Sequence, residues 1–211
     1  MKTPIRLSPV AKTLSRVLYT PDIYEPCQSI ETNWIVLTGA PGSGKTSISQ
    51  SLHSYGFSII PEMSRIVIED ALEKGFSIQE IMQNPELLTN SILARNYYRA
   101  TNLSPDELFI WDTGLLDSAA FYNVAGIDYQ CRLGFLNAYR YKSVIFLEML
   151  PQDVLGKDQA RPQDVVLRNR IDKALRSIYS QLGYSLAIVP ISEIESRTKQ
   201  VVKIINQHLY T

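Results

Sequence analysis

Short apolar runs rich in β-branched residues alternate with longer stretches of helical periodicity through most of this chain. The runs that predict strands are residues 34–38, 57–60, 108–111, 143–147 and 185–189. Apolar residues at the spacing of three and four predict helices after the glycine-rich segment 39–46, at 63–74, 84–102, 115–125, 128–140 and 163–182, and from residue 192. Strands that alternate with helices predict a three-layer, doubly wound α/β fold with a mainly parallel five-stranded sheet. Such folds bind ligands at the carboxyl ends of their strands.

Capping signals mark several of these helix boundaries. Ser77 with Glu80, and Ser192 with Glu195, have the spacing of a capping box. Asn84-Pro85 has the pattern of an N-cap followed by a first helical residue. Residues 1–32 lack sustained periodicity and contain four prolines at positions 4, 9, 21 and 26. We therefore expect an N-terminal extension over 1–32 and a single domain over 33–211.

Composition narrows the classes of function. Lys and Arg total 21, as do Asp and Glu, so the formal charge of the 211-residue chain is zero. A neutral balance gives no general attraction to nucleic acid or to acidic membranes, and we expect no nucleic-acid binding. No stretch approaches the ~18 apolar residues that cross a bilayer, so we expect no integral membrane segment. Cys27 and Cys131 form no CxxC or Cys/His cluster, which favours two reduced thiols. The first residues show no secretory signal, and we expect a cytoplasmic protein.

The segment between the first strand and the first helix carries the strongest chemical signal. It fits the GxxxxGK[ST] pattern and reads Gly39, Ala40, Pro41, Gly42, Ser43, Gly44, Lys45 and Thr46, followed by Ser47. The glycines let successive backbone N–H groups curl around phosphate oxygens, and the helix N-terminus adds partial positive charge. Lys45 is expected to reach the β- and γ-phosphates, and the Thr46 hydroxyl to bind Mg²⁺. The alternative, an accidental glycine turn, does not explain the position between a strand and a helix.

Asp112 follows the apolar run 108–111, and a carboxylate at the end of a buried strand is typical of a magnesium–nucleotide site. Mg²⁺ keeps several waters and takes few protein ligands, so one such carboxylate suffices to hold its water shell. The alternative is a helix cap, a common role for an aspartate at the end of a strand. We predict the metal role, with Asp112 and Thr46 as the protein ligands.

Glu62 follows the second predicted strand and is a candidate to orient or deprotonate an acceptor hydroxyl. Alternatively, its charge simply favours the N-terminus of the next helix. The stretch 157–176 is basic, and a mobile loop carrying an arginine there would stabilise charge on a transferring phosphoryl group. We predict Arg161 in that role within a lid over 151–164, and Arg168 as a second candidate.

Three stretches together resemble the AAA-type ATPase domains grouped with the NadR kinase domain. They are TGAPGSGKTSISQSLHSYGFSIIPEMSR, FIWDTGLLDSAAFY and YSQLGYSLAIVP. These domains have the P-loop NTPase fold and are related in pattern to nucleoside and nucleotide kinases. The resemblance runs from about residue 33 onward and implies ATP and Mg²⁺ as ligands. Relatives often carry an arginine at the position of Thr113.

Two functions follow as hypotheses. The first is Mg–ATP-dependent phosphoryl transfer to a small nucleoside- or nucleotide-like acceptor. The second is a nucleotide-gated regulatory module that hydrolyses NTP slowly, which Thr113 in place of arginine favours. No Asn-Lys-x-Asp guanine motif occurs, so we expect ATP rather than GTP, although the phosphate loop itself accepts either.

Overall fold

The computed structural model describes residues 29–151 and 164–209. The strands in this part of the chain are β1 Ile30–Glu31, β2 Ile35–Thr38, β3 Ile59–Ile60, β4 Ile110–Asp112, β5 Tyr139–Arg140, β6 Ser143–Leu147 and β7 Leu186–Val189. The helices are α1 Lys45–Ser54, α2 Met63–Glu73, α3 Ile78–Met82, α4 Pro85–Ala100, α5 Asp117–Val124, a 3₁₀ turn Gln130–Arg132, α6 Leu133–Leu136, α7 Val165–Gln181 and α8 Ile194–Leu209.

Five strands form one parallel sheet in the order β3-β4-β2-β6-β7. The predicted α/β fold with a five-stranded sheet is thereby confirmed. The chain leaves β2 toward β3 and β4 on one side and later crosses to β6 on the other. This reversal opens a crevice at the carboxyl end of β2, where doubly wound folds bind their ligands.

Strand β2 shows why the sheet is covered on both faces. Ile35 and Leu37 point into a core formed with α1 and α8, which contribute Ile48, Leu52, Val201 and Ile205. Val36 points to the opposite face, into a larger core that contains Trp111 and residues of α4, α5 and α7. Successive residues of a strand face opposite sides, so a continuously apolar strand requires a helical layer on each side.

A smaller parallel pairing lies beside the main sheet. β1 pairs with β5, with Ile30 opposite Tyr139 and Glu31 opposite Arg140. The Trp34 ring stacks on Tyr139 with centroids 4.8 Å apart and lies 5.3 Å from the Trp111 ring. The end of the segment that we predict as an N-terminal extension is therefore built into a sheet.

The prediction of a helix over 128–140 is wrong. The structure has the 3₁₀ turn, the four-residue helix α6 and then strand β5 in its place. The Ile30 N–H donates to the Ala138 carbonyl at 2.8 Å, and the Thr32 N–H donates to the Arg140 carbonyl at 3.0 Å. These bonds to a distant segment stabilise extended backbone where local periodicity favours a helix.

The two predicted capping boxes have different outcomes. The Ser77 box is confirmed, because its side chain accepts from the Glu80 N–H while the Glu80 carboxylate accepts from the Ser77 N–H. The last helix begins at Ile194, one residue later than a Ser192 cap requires. The strand predicted over 57–60 is limited to Ile59–Ile60.

Candidate nucleotide-binding site

The glycine-rich loop joins the end of β2 to the start of α1. Three of its glycines have positive φ: 145° at Gly39, 80° at Gly42 and 85° at Gly44. A Cβ added to Gly39 would lie 2.5 Å from the Leu147 carbonyl oxygen and 2.8 Å from the Ser43 hydroxyl. No side chain fits there, and L-residues are strained at these φ values. The glycines are therefore required by the curvature of the loop.

Lys45 is the first residue of α1 and lies against the loop that precedes it. Its side chain is 9% exposed. The ammonium donates to the carbonyls of Gly39 at 2.7 Å and Ala40 at 3.3 Å. Of the other predicted loop residues, Ala40, Gly42 and Ser43 are buried, Pro41, Gly44 and Thr46 are half-buried, and Ser47 is exposed. The lysine charge is thus positioned at the loop, as phosphate binding requires.

Asp112 ends β4 directly beside the loop strand. The register of the two strands sets it opposite Leu37, and the residue is 2% exposed. One oxygen accepts from the Ser49 hydroxyl at 2.9 Å. Ser49 lies on α1 three residues after Thr46, and side chains at that spacing share a helix face. The N-cap of α5 is Leu116, so Asp112 does not cap that helix.

The oxygen atoms of Asp112 and Thr46 are of the kind that Mg²⁺ binds. A carboxylate and a hydroxyl are the hard oxygen ligands that this ion prefers, and it binds through few of them. The residues that the structure describes contain no cluster of three or more His, Cys, Asp or Glu that could hold another metal. Asp112 and Thr46 thus supply oxygen ligands of the kind that Mg²⁺ takes, and their metal role stays a prediction.

Two buried arginines donate hydrogen bonds to backbone carbonyls of the loop. Arg168 Nε donates to the Pro41 carbonyl at 2.8 Å, and Arg197 Nη1 donates to the Ser43 carbonyl at 2.7 Å. Each side chain is 1% exposed, and burial lowers the pKa of both guanidinium groups. Sequence reasoning predicts a phosphate-facing role for Arg168, whereas the structure shows it bound to loop backbone. It predicts no role for Arg197.

A sequence signal for these arginines does exist. Arg197 lies four and eight residues before Val201 and Ile205, on the buried face of α8. Arg168 lies three and seven residues before Ile171 and Leu175, on the buried face of α7. An arginine in the apolar stripe of an amphipathic helix needs a buried partner, because an unpaired charge is costly to bury.

Glu62 lies at the same edge of the sheet as Asp112. It follows β3, which pairs with β4 so that Ile60 is opposite Trp111. Glu62 occupies the N-cap position of α2 but makes no side-chain cap, and it accepts from the Ser64 hydroxyl at 2.6 Å. Glu62 therefore lies where its charge can favour the N-terminus of α2, without a capping hydrogen bond, and both interpretations of this residue stay open. Arg161 and most of the predicted lid lie outside the described residues.

Comparison with known proteins agrees with this geometry. A sequence model of an AAA domain family matches residues 34–197. The chain belongs to this AAA domain family. No curated protein matches the sequence of this AAA domain. In the part of the chain that the structure describes, none of the helices is long and apolar enough to cross a membrane.

Solved structures with the same fold include a deoxyadenosine kinase and a thymidylate kinase. The deoxyadenosine kinase from M. mycoides with the products dCMP and dCDP has 17% identity and a TM-score of 0.59, covering 82% of this chain and 98% of that one. The same kinase with bound dATP has 16% identity and a TM-score of 0.57, covering 82% and 99%. The thymidylate kinase from Ehrlichia chaffeensis has 15% identity and a TM-score of 0.55, covering 83% and 99%. The AAA domain thus shares the fold of P-loop kinases.

Asp117 is a second buried carboxylate, and its hydrogen bonds connect several elements of the site. Asp117 accepts hydrogen bonds from the Thr38 hydroxyl at 2.5 Å, the Tyr179 hydroxyl at 2.7 Å and the Gly114 N–H at 2.9 Å. Burial raises its pKa, while these bonds and the Lys45 charge act in the opposite direction. Asp117 therefore links the strand before the loop, the turn after Asp112 and helix α7. Sequence reasoning identifies it only as part of a motif.

The turn after Asp112 is strained. Thr113 has φ 76°, the one positive value for a non-glycine residue among the described residues. A β-branched residue is disfavoured there, at a cost of roughly 1–3 kcal/mol. Its N–H donates to the Leu37 carbonyl at 3.1 Å, and its buried hydroxyl has no hydrogen-bond partner in the described structure.

Gly114→Ala is expected to destabilise the AAA domain by about 1–3 kcal/mol, because the added methyl group overpacks this turn. A Cβ at Gly114 would lie 2.7 Å from the Tyr141 hydroxyl oxygen and 2.9 Å from Val36 Cγ2. Urea denaturation measures the loss. Gly56→Ala is the comparison, because a Cβ there meets open space and the variant carries only the backbone strain of φ 88°. A smaller loss for Gly114→Ala than for Gly56→Ala would contradict the prediction.

Proposed function

We propose that this AAA domain protein is a Mg–ATP-dependent phosphotransferase whose acceptor is a nucleoside or a nucleoside monophosphate. The observation that carries the proposal is the arrangement at one edge of the sheet. The lysine-bearing phosphate loop, the Asp112 carboxylate and the Glu62 carboxylate all follow the carboxyl ends of neighbouring strands. A donor phosphate, its metal ion and an acceptor hydroxyl each have a matching group there.

Each residue has a separate role in this proposal. The loop amides and Lys45 bind the triphosphate, and Thr46 and Asp112 hold Mg²⁺. When bound, Mg²⁺ neutralises charge on the phosphate oxygens. Asp112 contributes a carboxylate that its bond from Ser49 already orients at 2.9 Å. Glu62 orients the acceptor hydroxyl and takes its proton as the acceptor oxygen bonds to the γ-phosphorus and the bond from that phosphorus to the ADP oxygen breaks.

The acceptor class is inferred from the chemistry of Glu62 and from solved structures with the same fold. The structures that share it include a deoxyadenosine kinase with deoxynucleotides bound and a thymidylate kinase. A carboxylate at the position of Glu62 suits a sugar hydroxyl, because it can accept the hydroxyl proton. It repels a phosphate placed beside it, so of the two acceptor classes it favours the nucleoside. ATP is the proposed donor.

Phosphate transfer from γ-labelled ATP tests the proposal directly. The purified protein with Mg²⁺ is incubated with labelled ATP and a panel of nucleosides and nucleoside monophosphates. Label appearing on one of the acceptors supports the phosphotransferase. Label released only as inorganic phosphate, at a rate that no acceptor changes, would favour the second candidate, a nucleotide-gated module with slow hydrolysis. The strained Thr113 turn is the observation that favours that candidate.

Glu62→Gln is expected to lower kcat for transfer by about 10²-fold with little change in ATP affinity. The amide keeps the size of the side chain but cannot accept a proton, and positioned general bases contribute roughly 10²–10⁴-fold. Steady-state transfer rates and calorimetry with ATP measure the two effects. Glu69→Gln, an exposed position on the same helix, is the matched control. Equal kcat in both variants would show that Glu62 serves only the helix N-terminus.

A further inference from the structure

The outward-facing carbonyls of the phosphate loop are bonded one after another. The Pro41 carbonyl accepts from Arg168 at 2.8 Å, the Gly42 carbonyl from the Leu150 N–H at 3.2 Å, and the Ser43 carbonyl from Arg197 at 2.7 Å. All three partners come from segments far along the chain. The curvature of the loop is therefore stabilised by α7, α8 and the segment after β6, as well as by its own glycines.

Each arginine fixes the direction of one particular amide. A peptide unit is planar and trans, so the N–H of a residue points opposite to the carbonyl of the residue before it. Arg168 binds the Pro41 carbonyl and so turns the Gly42 N–H away from itself. Arg197 binds the Ser43 carbonyl and so turns the Gly44 N–H away from itself. Both amides are then directed away from the arginines, toward the inner side of the loop.

Both arginines also bind the chain segment that leaves strand β6. Arg168 Nη2 donates to the Leu150 carbonyl at 3.0 Å, and Arg197 Nη2 donates to the Glu148 carbonyl at 3.1 Å. Each guanidinium thus bridges the loop and that segment with two donors in a fixed plane. Arginine suits such a bridge because its donors form a rigid fork, whereas lysine offers a single point charge.

We propose that Arg168 and Arg197 are positioning residues for phosphate binding, which act through the Gly42 and Gly44 amides without touching the phosphate. Preorganised N–H donors bind an anion more tightly than donors that must be turned at the moment of binding. The proposal rests on the proposed function, since it takes the loop to be the triphosphate site. It adds two residues that make phosphate affinity depend on helices α7 and α8.

The test uses Arg168→Met and Arg197→Met in the full chain, with Arg176→Met as the control. Arg176 lies on α7 and is partly exposed, and its described contacts, with the Phe146 ring at 4.1 Å and with Asp172 at 2.8 Å, lie outside the loop. Mg–tripolyphosphate is the probe, because it requires the loop but no base-binding contacts. Calorimetry is expected to show at least tenfold weaker binding for both loop variants and less than twofold change for the control. Wild-type affinity in both loop variants would overturn the proposal.

Backbone amide NMR gives a readout that general destabilisation would not produce. The Gly42 amide signal is expected to shift most in Arg168→Met, and the Gly44 signal most in Arg197→Met. Should a methionine variant fail to fold, Arg168→Lys and Arg197→Lys take its place, with the same crossed pattern expected. Equal shifts of the two glycines in both variants would overturn the positioning role. A wild-type protein that binds no tripolyphosphate would refute the proposed function. The amide shifts would still show whether Arg168 and Arg197 orient the Gly42 and Gly44 N–H groups.

Discussion

Replacing Lys45 with methionine is expected to weaken ATP binding by about 10- to 100-fold while leaving the fold intact. Methionine keeps the length of the buried stem but removes the charge that meets the phosphates. Hydrogen bonds to charged groups contribute about 1.5–3 kcal/mol, which corresponds to that range of affinity. The Gly39 carbonyl loses the donor that lies at 2.7 Å, but the Ala40 carbonyl keeps a bond from the Ser43 N–H at 3.1 Å.

Calorimetry with Mg–ATP measures the affinity, and thermal denaturation without nucleotide shows whether the variant is folded. Lys199→Met is the control, because Lys199 is an exposed residue of α8 that pairs with Glu195 at 2.7 Å. We expect the control to bind ATP as the wild type does. ATP binding of Lys45→Met that equals the control would remove the central role of the loop lysine.

Asp112→Asn is expected to reduce Mg²⁺-dependent turnover by on the order of 10²-fold, with a much smaller effect on nucleotide binding measured without metal. The amide has nearly the shape of the carboxylate, and its oxygen can still accept from the Ser49 hydroxyl, now at 2.9 Å from the carboxylate. The fold is therefore preserved, and the loss of turnover measures the effect of removing the negative charge beside Mg²⁺.

Asp172→Asn serves as the matched control for that experiment. Asp172 lies on α7 and pairs with Arg176 at 2.8 Å at the helix surface, where an ion pair contributes little. The comparison is made as turnover against Mg²⁺ concentration. If the Asp112 variant has the Mg²⁺ dependence of the control, Asp112 has a structural role only.

The parts of the site that sequence alone predicts are those set by local pattern. The loop glycines, Lys45 and Asp112 lie next to strands whose apolar character is visible in a few consecutive residues. Their neighbours in space follow from the parallel sheet, because the carboxyl ends of its strands share one edge. The five strands of the main sheet are predicted for the same reason.

The parts that sequence reasoning misses depend on distant partners. Arg197 reaches the loop carbonyl of a residue 154 positions earlier, and no local pattern reports that contact. Strand β5 exists because Ile30 pairs with Tyr139. Residues 128–140 have helical periodicity, but pairing with a segment more than a hundred residues away overrides it.

The parallel sheet also determines when the site can form during synthesis of the chain. The ribosome releases the N-terminal strands first, yet β2 finds its neighbours only when Ile110 and Ser143 have emerged. Arg197, which binds the Ser43 carbonyl of the loop, is synthesised later than Ile110 and Ser143. A nascent chain that stops before α8 therefore carries the full phosphate-loop sequence without one of the groups that direct its amides. Under the proposed function, ATP would therefore stabilise the nearly completed protein more than an early folding intermediate, because the loop lacks Arg197 until then.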